Sequence, residues 1–199
     1  MKPILLDIPM PIETPRLLLR PPQPGDGVEL NQAINESFEA LSVWMPWAKE
    51  RPSVEDSEEN VRRAFAKWVL REDLRISIFD KASGKLVGSS GLHRINWELP
   101  SFEIGYWVRK SFEGKGYITE STNALTQFAF KQLKAKRVEI RCNSKNERSV
   151  TVIKRLGFEY EGCLRSNDTH ANSMESRDTV VYSRLNGDGL PQLDVSWQD

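Results

Sequence analysis

Residues 111–121 read SFEGKGYITES, between the apolar, aromatic run FEIGYWV (102–108) and the segment ITESTNALTQFAFKQL (118–133). The first flank has the β-branched and aromatic content of a strand. In the second, Leu125, Phe128, Ala129 and Leu133 recur at three- and four-residue spacing, which predicts a helix over 118–133 with one buried face. The joint is therefore a strand-to-helix turn carrying Gly114 and Gly116. Such a turn can present free backbone N–H groups and the positive end of a helix dipole to an anion, phosphate above all. The same glycines would also serve a tight turn with no ligand.

Upstream, RLLLR (16–20) reads as a short strand, and PPQPGDG then breaks the pattern so that Asp26 can cap a helix running to about Ser42. A second helix opens with Ser53 as N-cap and Asp56 three residues on. Val61, Ala64, Phe65, Trp68 and Val69 are its expected apolar face. LRISIFD (74–80) and LVGSSGLHRI (86–95) are strands joined by a hairpin turn at Ser83-Gly84. Downstream of the glycine turn the expected order is helix 118–133, strand 137–143, helix 147–156 closed by Gly157, and strands near 158–164 and 179–185. This is a mixed α/β layout forming one domain over 1–185, with 186–199 an extended or mobile tail.

Composition narrows the function classes. The 28 basic and 28 acidic side chains balance, so no electrostatic footprint marks a nucleic-acid partner. The opening MKPILLDIPMP is broken by Asp7 and prolines, and no apolar run approaches the length of a membrane span. A cytoplasmic protein with no membrane partner is expected. Cys142, Cys163, His93 and His170 lie far apart without metal-ligand spacing, so neither a metal nor a disulfide is expected, and the cysteines are read as buried strand thiols.

The runs EIGYWVRKSFEGKGYITES and RVEIRCNSKNERSVTVIKRLGFEYEGCLR resemble the GCN5-related N-acetyltransferase (GNAT) superfamily, and within it the bacterial ribosomal-protein N-terminal acetyltransferases. The resemblance implies a strongly twisted, mostly antiparallel sheet flanked by helices, with acetyl-CoA as cosubstrate where two parallel strands, 102–108 and 137–143, splay apart. It places the pyrophosphate on the backbone of Glu113, Gly114, Lys115, Gly116, Tyr117 and Ile118 and the pantetheine arm along Tyr106, Trp107 and Val108, with Asn143 and Asn146 also expected to bind the cofactor. The loop departs from the family pattern at Glu113, where Gln or Arg is usual, and at Ile118, where Gly or Ala is usual. A carboxylate there opposes a pyrophosphate unless it points to solvent or pairs with Lys115.

Asn146 and Ser149 match the family's N-x-x-S element; Asn146 equally reads as a helix N-cap and Ser149 as a first-turn serine bonding its own backbone. In the resemblance Ser149 lies beside the coenzyme sulfur; the candidate bases are Glu103, which alternates with Ile104 on the splayed strand and so faces the side open to substrate, and Asp168 in the loop RSNDTHAN, where related enzymes carry an acidic residue. Trp44, Met45 and Trp47 line the acceptor groove or staple the first two helices. At pH 7.4 roughly a quarter of α-amines but only about a thousandth of lysine amines are neutral, so these weak bases suit an N-terminal α-amine. The acceptor is then a protein or peptide N-terminus; a small amine such as a polyamine or an antibiotic, and a non-catalytic CoA sensor, are the alternatives. Related enzymes suggest a homodimer.

Overall fold

The computed structural model describes residues 2–170, 173 and 175–198. A two-residue strand β1 (Ile12–Glu13) and β2 (Leu17–Arg20) precede helix α1 (Gly27–Trp44) and helix α2 (Val54–Leu70). Then come β3 (Leu74–Asp80), β4 (Leu86–Asn96), β5 (Ser101–Val108), α3 (Tyr117–Lys131), β6 (Arg137–Asn143), α4 (Glu147–Arg155), β7 (Glu159–Thr169), β8 (Ser176–Arg184) and β9 (Ser196–Trp197).

The strands form one sheet in the order β7-β8-β6-β5-β4-β3-β2-β1-β9. Every described pairing is antiparallel except β5 with β6. That parallel ladder holds only at Ser101↔Arg137, Phe102↔Val138 and Glu103↔Glu139. Beyond it β5 stays on β4 as far as Val108, and β6 stays on β8 as far as Asn143, so the two strands part and their facing edges are free of ladder bonds. The gap is where the sheet splays.

Alternation along β5 decides what lies on each side of the sheet. Phe102 and Ile104 are fully buried with Leu125, Phe128 and Ala129 of α3, a core in which each large side chain contributes about 1.5–3 kcal/mol of burial. Glu103, Gly105 and Trp107 face the other side, where Leu30, Ala33, Ile34 and Leu41 of α1 and Val61 of α2 form a second apolar cluster against Leu86, Phe79 and Trp107.

Several local expectations are corrected. Asp26 stands before α1, but its carboxylate holds Arg20 and the Gln23 N–H; the N–H groups of Gly25 and Gly27 are taken by Glu58 of α2 instead. The buried face of α2 is Ser57, Val61, Ala64 and Trp68, leaving Phe65 and Val69 exposed one stripe over, and the Ser53–Asp56 capping box is present. α1 runs on to Trp44. β7 extends to Thr169 and β8 starts at Ser176, because the two long strands pair beyond the register breaks at Tyr160/Gly162 and Leu164/Asp168. Cys142 is half-buried and Cys163, on the outermost strand β7, is exposed. β1 and β9 were not foreseen: the C-terminal segment crosses α3, with Trp197 edge-on to Phe128, and pairs with β1.

Candidate active site

The loop after β5 ends in a left-handed turn. Gly114 has φ +72° and Gly116 φ +80°, a backbone region costing an L-side chain about 1–2 kcal/mol. A Cβ on Gly114 would meet nothing and one on Gly116 only Arg16, so the space above the turn is open. The backbone N–H groups of residues 114–119 have no partner among the described residues, and they gather at the N-terminus of α3. The cradle is held from beneath. Arg16 donates to the Lys115 carbonyl at 3.0 Å and to Glu120 at 2.7 Å and lies over the Tyr117 ring, while Thr14 donates to Glu120 at 2.6 Å.

The other end of the loop is anchored to α1. Arg109, nearly buried, binds Glu29 at 2.8 Å and Glu36 at 2.6 Å; Glu36 also accepts from the Ser111 N–H and Ser37 from the Lys110 N–H. These bonds hold the Glu36 carboxyl below its usual range despite its partial burial. Glu113 neither points freely to solvent nor pairs with Lys115. Its carboxylate meets Arg148 of α4 at 2.7 Å, while Lys115 binds the Ser111 carbonyl. The unfavourable charge is thus matched by a cation that sequence spacing did not suggest.

A cleft of about 720 Å³ opens between the splayed strands and the α1/α2 pair. On the splay side it is lined by Tyr106, Cys142, Asn143, Asn146 and Ser149. Asn146 acts as the N-cap of α4, accepting from the Ser149 N–H at 3.1 Å. The Ser149 hydroxyl is left to bond the Tyr106 hydroxyl at 2.8 Å. Burial pushes the Tyr106 phenol well above its ordinary value, with the Ser149 bond opposing, and likewise raises the Cys142 thiol; both stay protonated near neutrality. Asn143 Oδ1 caps the Lys145 N–H, whereas its Nδ2 is buried without a protein partner among the described residues. A buried amide donor left open beside unpaired strand edges fits an amide-bearing arm laid in the gap.

The cleft is also lined by Glu103, Asp168, Trp44, Met45 and Trp47. Burial raises the Glu103 carboxyl, opposed by Arg94 at 3.2 Å and Arg141 at 3.4 Å. Asp168 lies on β7, not in a loop, and its bond to Arg177 at 2.5 Å holds the carboxyl below its normal range, which makes it a poor proton acceptor. Trp44 ends α1, Met45 packs on the second apolar cluster, and Trp47 tilts against Trp107 at 6.2 Å. The aromatic segment thus both staples the helices and lines the cleft. Trp107 and Glu103 share this side; Val108 and Ile118 lie in the α3-side core, with Val108 at its margin.

Sequence reasoning missed the Tyr106 hydroxyl, because a strand tyrosine has no distance to α4 until the sheet splays. It also missed His93, which lies in the cleft with Nδ1 2.7 Å from Asp73. His170 sits at the end of β7 and does not line the cleft.

The model of the acetyltransferase (GNAT) domain family matches residues 16–159. YdaF of Bacillus subtilis (strain 168), which carries a ribosomal N-acetyltransferase name, is 34% identical over 168 residues, covering 82% of this chain and 87% of that protein. The ribosomal-protein-serine acetyltransferase of Escherichia coli (strain K12) is 28% identical, covering 72% and 80%. Among solved structures, the microcin C7 self-immunity acetyltransferase MccE, in complex with acetyl-CoA and AMP, superimposes with a TM-score of 0.80 at 26% identity, covering 86% of this chain and 93% of that one.

Proposed function

The chain belongs to the GNAT acetyltransferase family and is an N-acetyltransferase with acetyl-CoA as cosubstrate, and we propose that its acceptor is the α-amine at the N-terminus of a protein or peptide. The observation that carries this choice is that both carboxylates expected as bases are engaged by arginines. Glu103 is matched by Arg94 and Arg141, and Asp168 by Arg177, with Arg75 also lining the cleft. A cleft whose candidate carboxylates are engaged by arginines suits an α-amine, of which a substantial fraction is already neutral near pH 7.4, better than a lysine or polyamine amine, which is almost wholly protonated there. The names of the YdaF and ribosomal-protein-serine relatives favour the same reading. A cytoplasmic setting goes with it; no described helix is long and apolar enough to cross a membrane.

The fit to acetyl-CoA rests on the open N–H groups of 114–119 for a pyrophosphate and on Asn143 Nδ2 with the unpaired edges of β5 and β6 for the pantetheine amides. Acetyl-CoA supplies an activated acyl thioester. Ser149, hydrogen-bonded to Tyr106, donates toward the departing sulfur, and because both hydroxyls remain protonated at neutral pH they act as donors throughout. Asn146 keeps the first turn of α4 in place and thereby positions Ser149.

The test is a comparison of acceptors: a peptide with a free N-terminus, the same peptide blocked there and carrying one lysine, and spermidine, each with labelled acetyl-CoA. The free N-terminus should react far faster than either. Equal rates for the two peptides, or preference for spermidine, would overturn the choice of acceptor.

A further inference from the structure

We propose that His93, oriented by Asp73, is the group that takes the proton from the acceptor amine; the proposal rests on the N-acetyltransferase reading above. Asp73 immediately precedes β3, and its carboxylate lies 2.7 Å from His93 Nδ1. A carboxylate only accepts, so Nδ1 carries the hydrogen, and in the neutral ring the lone pair is on Nε2. Nε2 has no hydrogen-bond partner among the described residues, and the ring lines the cleft.

The sheet leaves room for this ring. His93 is paired with Glu103, so the two side chains share a face, and two residues along the same face Gly91 is paired with Gly105. A Cβ on Gly91 would lie 2.9 Å from His93 Nε2 and 2.7 Å from Cε1; one on Gly105 would lie 3.3 Å from Cδ2. Neither glycine has a positive φ, so the crowding is steric: a Cβ on Gly91 would meet both the imidazole and, at 2.9 Å, the Arg75 Cα of β3, and one on Gly105 would press on the ring. The charged groups around the ring are Asp73, Glu103 across the β4/β5 pair, Arg75 opposite Gly91 on β3, and Arg94, which pairs with Glu103. The carboxylate of Asp73 holds the ring through Nδ1, and Glu103 lies beside it on the neighbouring strand.

In the step itself, the amine nitrogen bonds to the thioester carbonyl carbon as the surplus amine proton moves to Nε2. The C–S bond breaks with its electron pair on sulfur, the Ser149 hydroxyl, itself bonded to Tyr106, donates a hydrogen bond to the thiolate without losing its proton, the thiolate takes a proton from water, and the imidazolium returns its proton to water.

His93→Ala should lower kcat on a free-N-terminus peptide by about a hundredfold or more while leaving the CoA dissociation constant and peptide KM within about twofold. Added imidazole should restore part of the rate, in proportion to its neutral fraction. Asp73→Asn, which can donate to Nδ1 and so stabilise the wrong tautomer, should also lower kcat, and decides the matter if His93→Ala no longer binds CoA. Nitrogen-15 spectra of the resting protein should show the Nδ1–H tautomer of His93. Wild-type kcat in His93→Ala, a loss that imidazole does not relieve, wild-type kcat in Asp73→Asn, or an Nε2–H tautomer would each overturn the proposal. No acetyl transfer by the parent protein to any amine would instead overturn the underlying reading.

Discussion

Ser149 and Tyr106 belong to different elements, and their 2.8 Å contact is the most direct chemical statement the cleft makes. Removing the serine hydroxyl leaves the phenol with the Ser149 carbonyl at 3.4 Å as its remaining partner, a poorly placed acceptor. The ground-state loss is that of one neutral hydrogen bond, about 0.5–1.5 kcal/mol. On the proposed assignment the hydroxyl faces developing negative charge on sulfur in the transition state, where one lost donor costs more, about 1.4–4 kcal/mol, or ten- to a thousandfold in kcat. Ser149→Ala should therefore lower kcat by that factor with CoA affinity nearly intact. Tyr106→Phe should lower it less, because the serine can still donate to sulfur. If the two act as one donor chain, the double variant should be no slower than Ser149→Ala alone. Single-turnover acetyl transfer with labelled acetyl-CoA measures the chemical step, and calorimetry with CoA separates binding from it. Losses that multiply across the double variant would break the chain into two independent groups. Weakened CoA binding with kcat preserved would reduce Ser149 to a structural residue of α4.

Three shorter expectations accompany it. Gly116→Val forces a β-branched residue to φ +80° beneath the open N–H groups and should weaken CoA at least tenfold, about 1.4 kcal/mol, by titration calorimetry; normal binding would remove the anion-loop assignment. Glu113→Gln frees the highly exposed Arg148 to face the pyrophosphate and should tighten CoA by up to about fivefold at low salt, fading as salt is added, since such exposed pairs amount to at most about 1 kcal/mol. Equal affinities at low salt would place both side chains away from the ligand. Glu161, held at a pKa of about 2 chiefly by Arg137 and also by Ser183, has a folded pKa below its unfolded one, so its stabilisation is present above the unfolded value near 4.5 and is lost as pH falls toward 2. Thermal unfolding followed across that window should show a shallower acid decline in Arg137→Met, and an unchanged slope would show that the pair does not contribute.

The glycine turn, the α3 stripe of Leu125, Phe128 and Ala129, the Ser53–Asp56 cap and the strand 137–143 were legible from residue order because each depends on neighbours a few positions apart: helical period, cap spacing and backbone freedom are local properties. With them came the family resemblance and the region proposed above for the cosubstrate. What could not be read locally is every relation across the sheet. Arg148 reaches Glu113 across 35 positions, Tyr106 meets Ser149 across 43, and Arg109 is tied to Glu36 across 73. Asp168 read as a free loop carboxylate until the extension of β7 and β8 set it against Arg177. His93 carried no motif at all; its chemistry arises from Asp73 at the edge of the neighbouring strand and from the bare backbone of Gly91 and Gly105 beneath its ring. Periodicity tells which face of a strand is buried, but pairing register determines which side chains meet on that face, and for strands distant in the chain register is settled only when the whole sheet assembles.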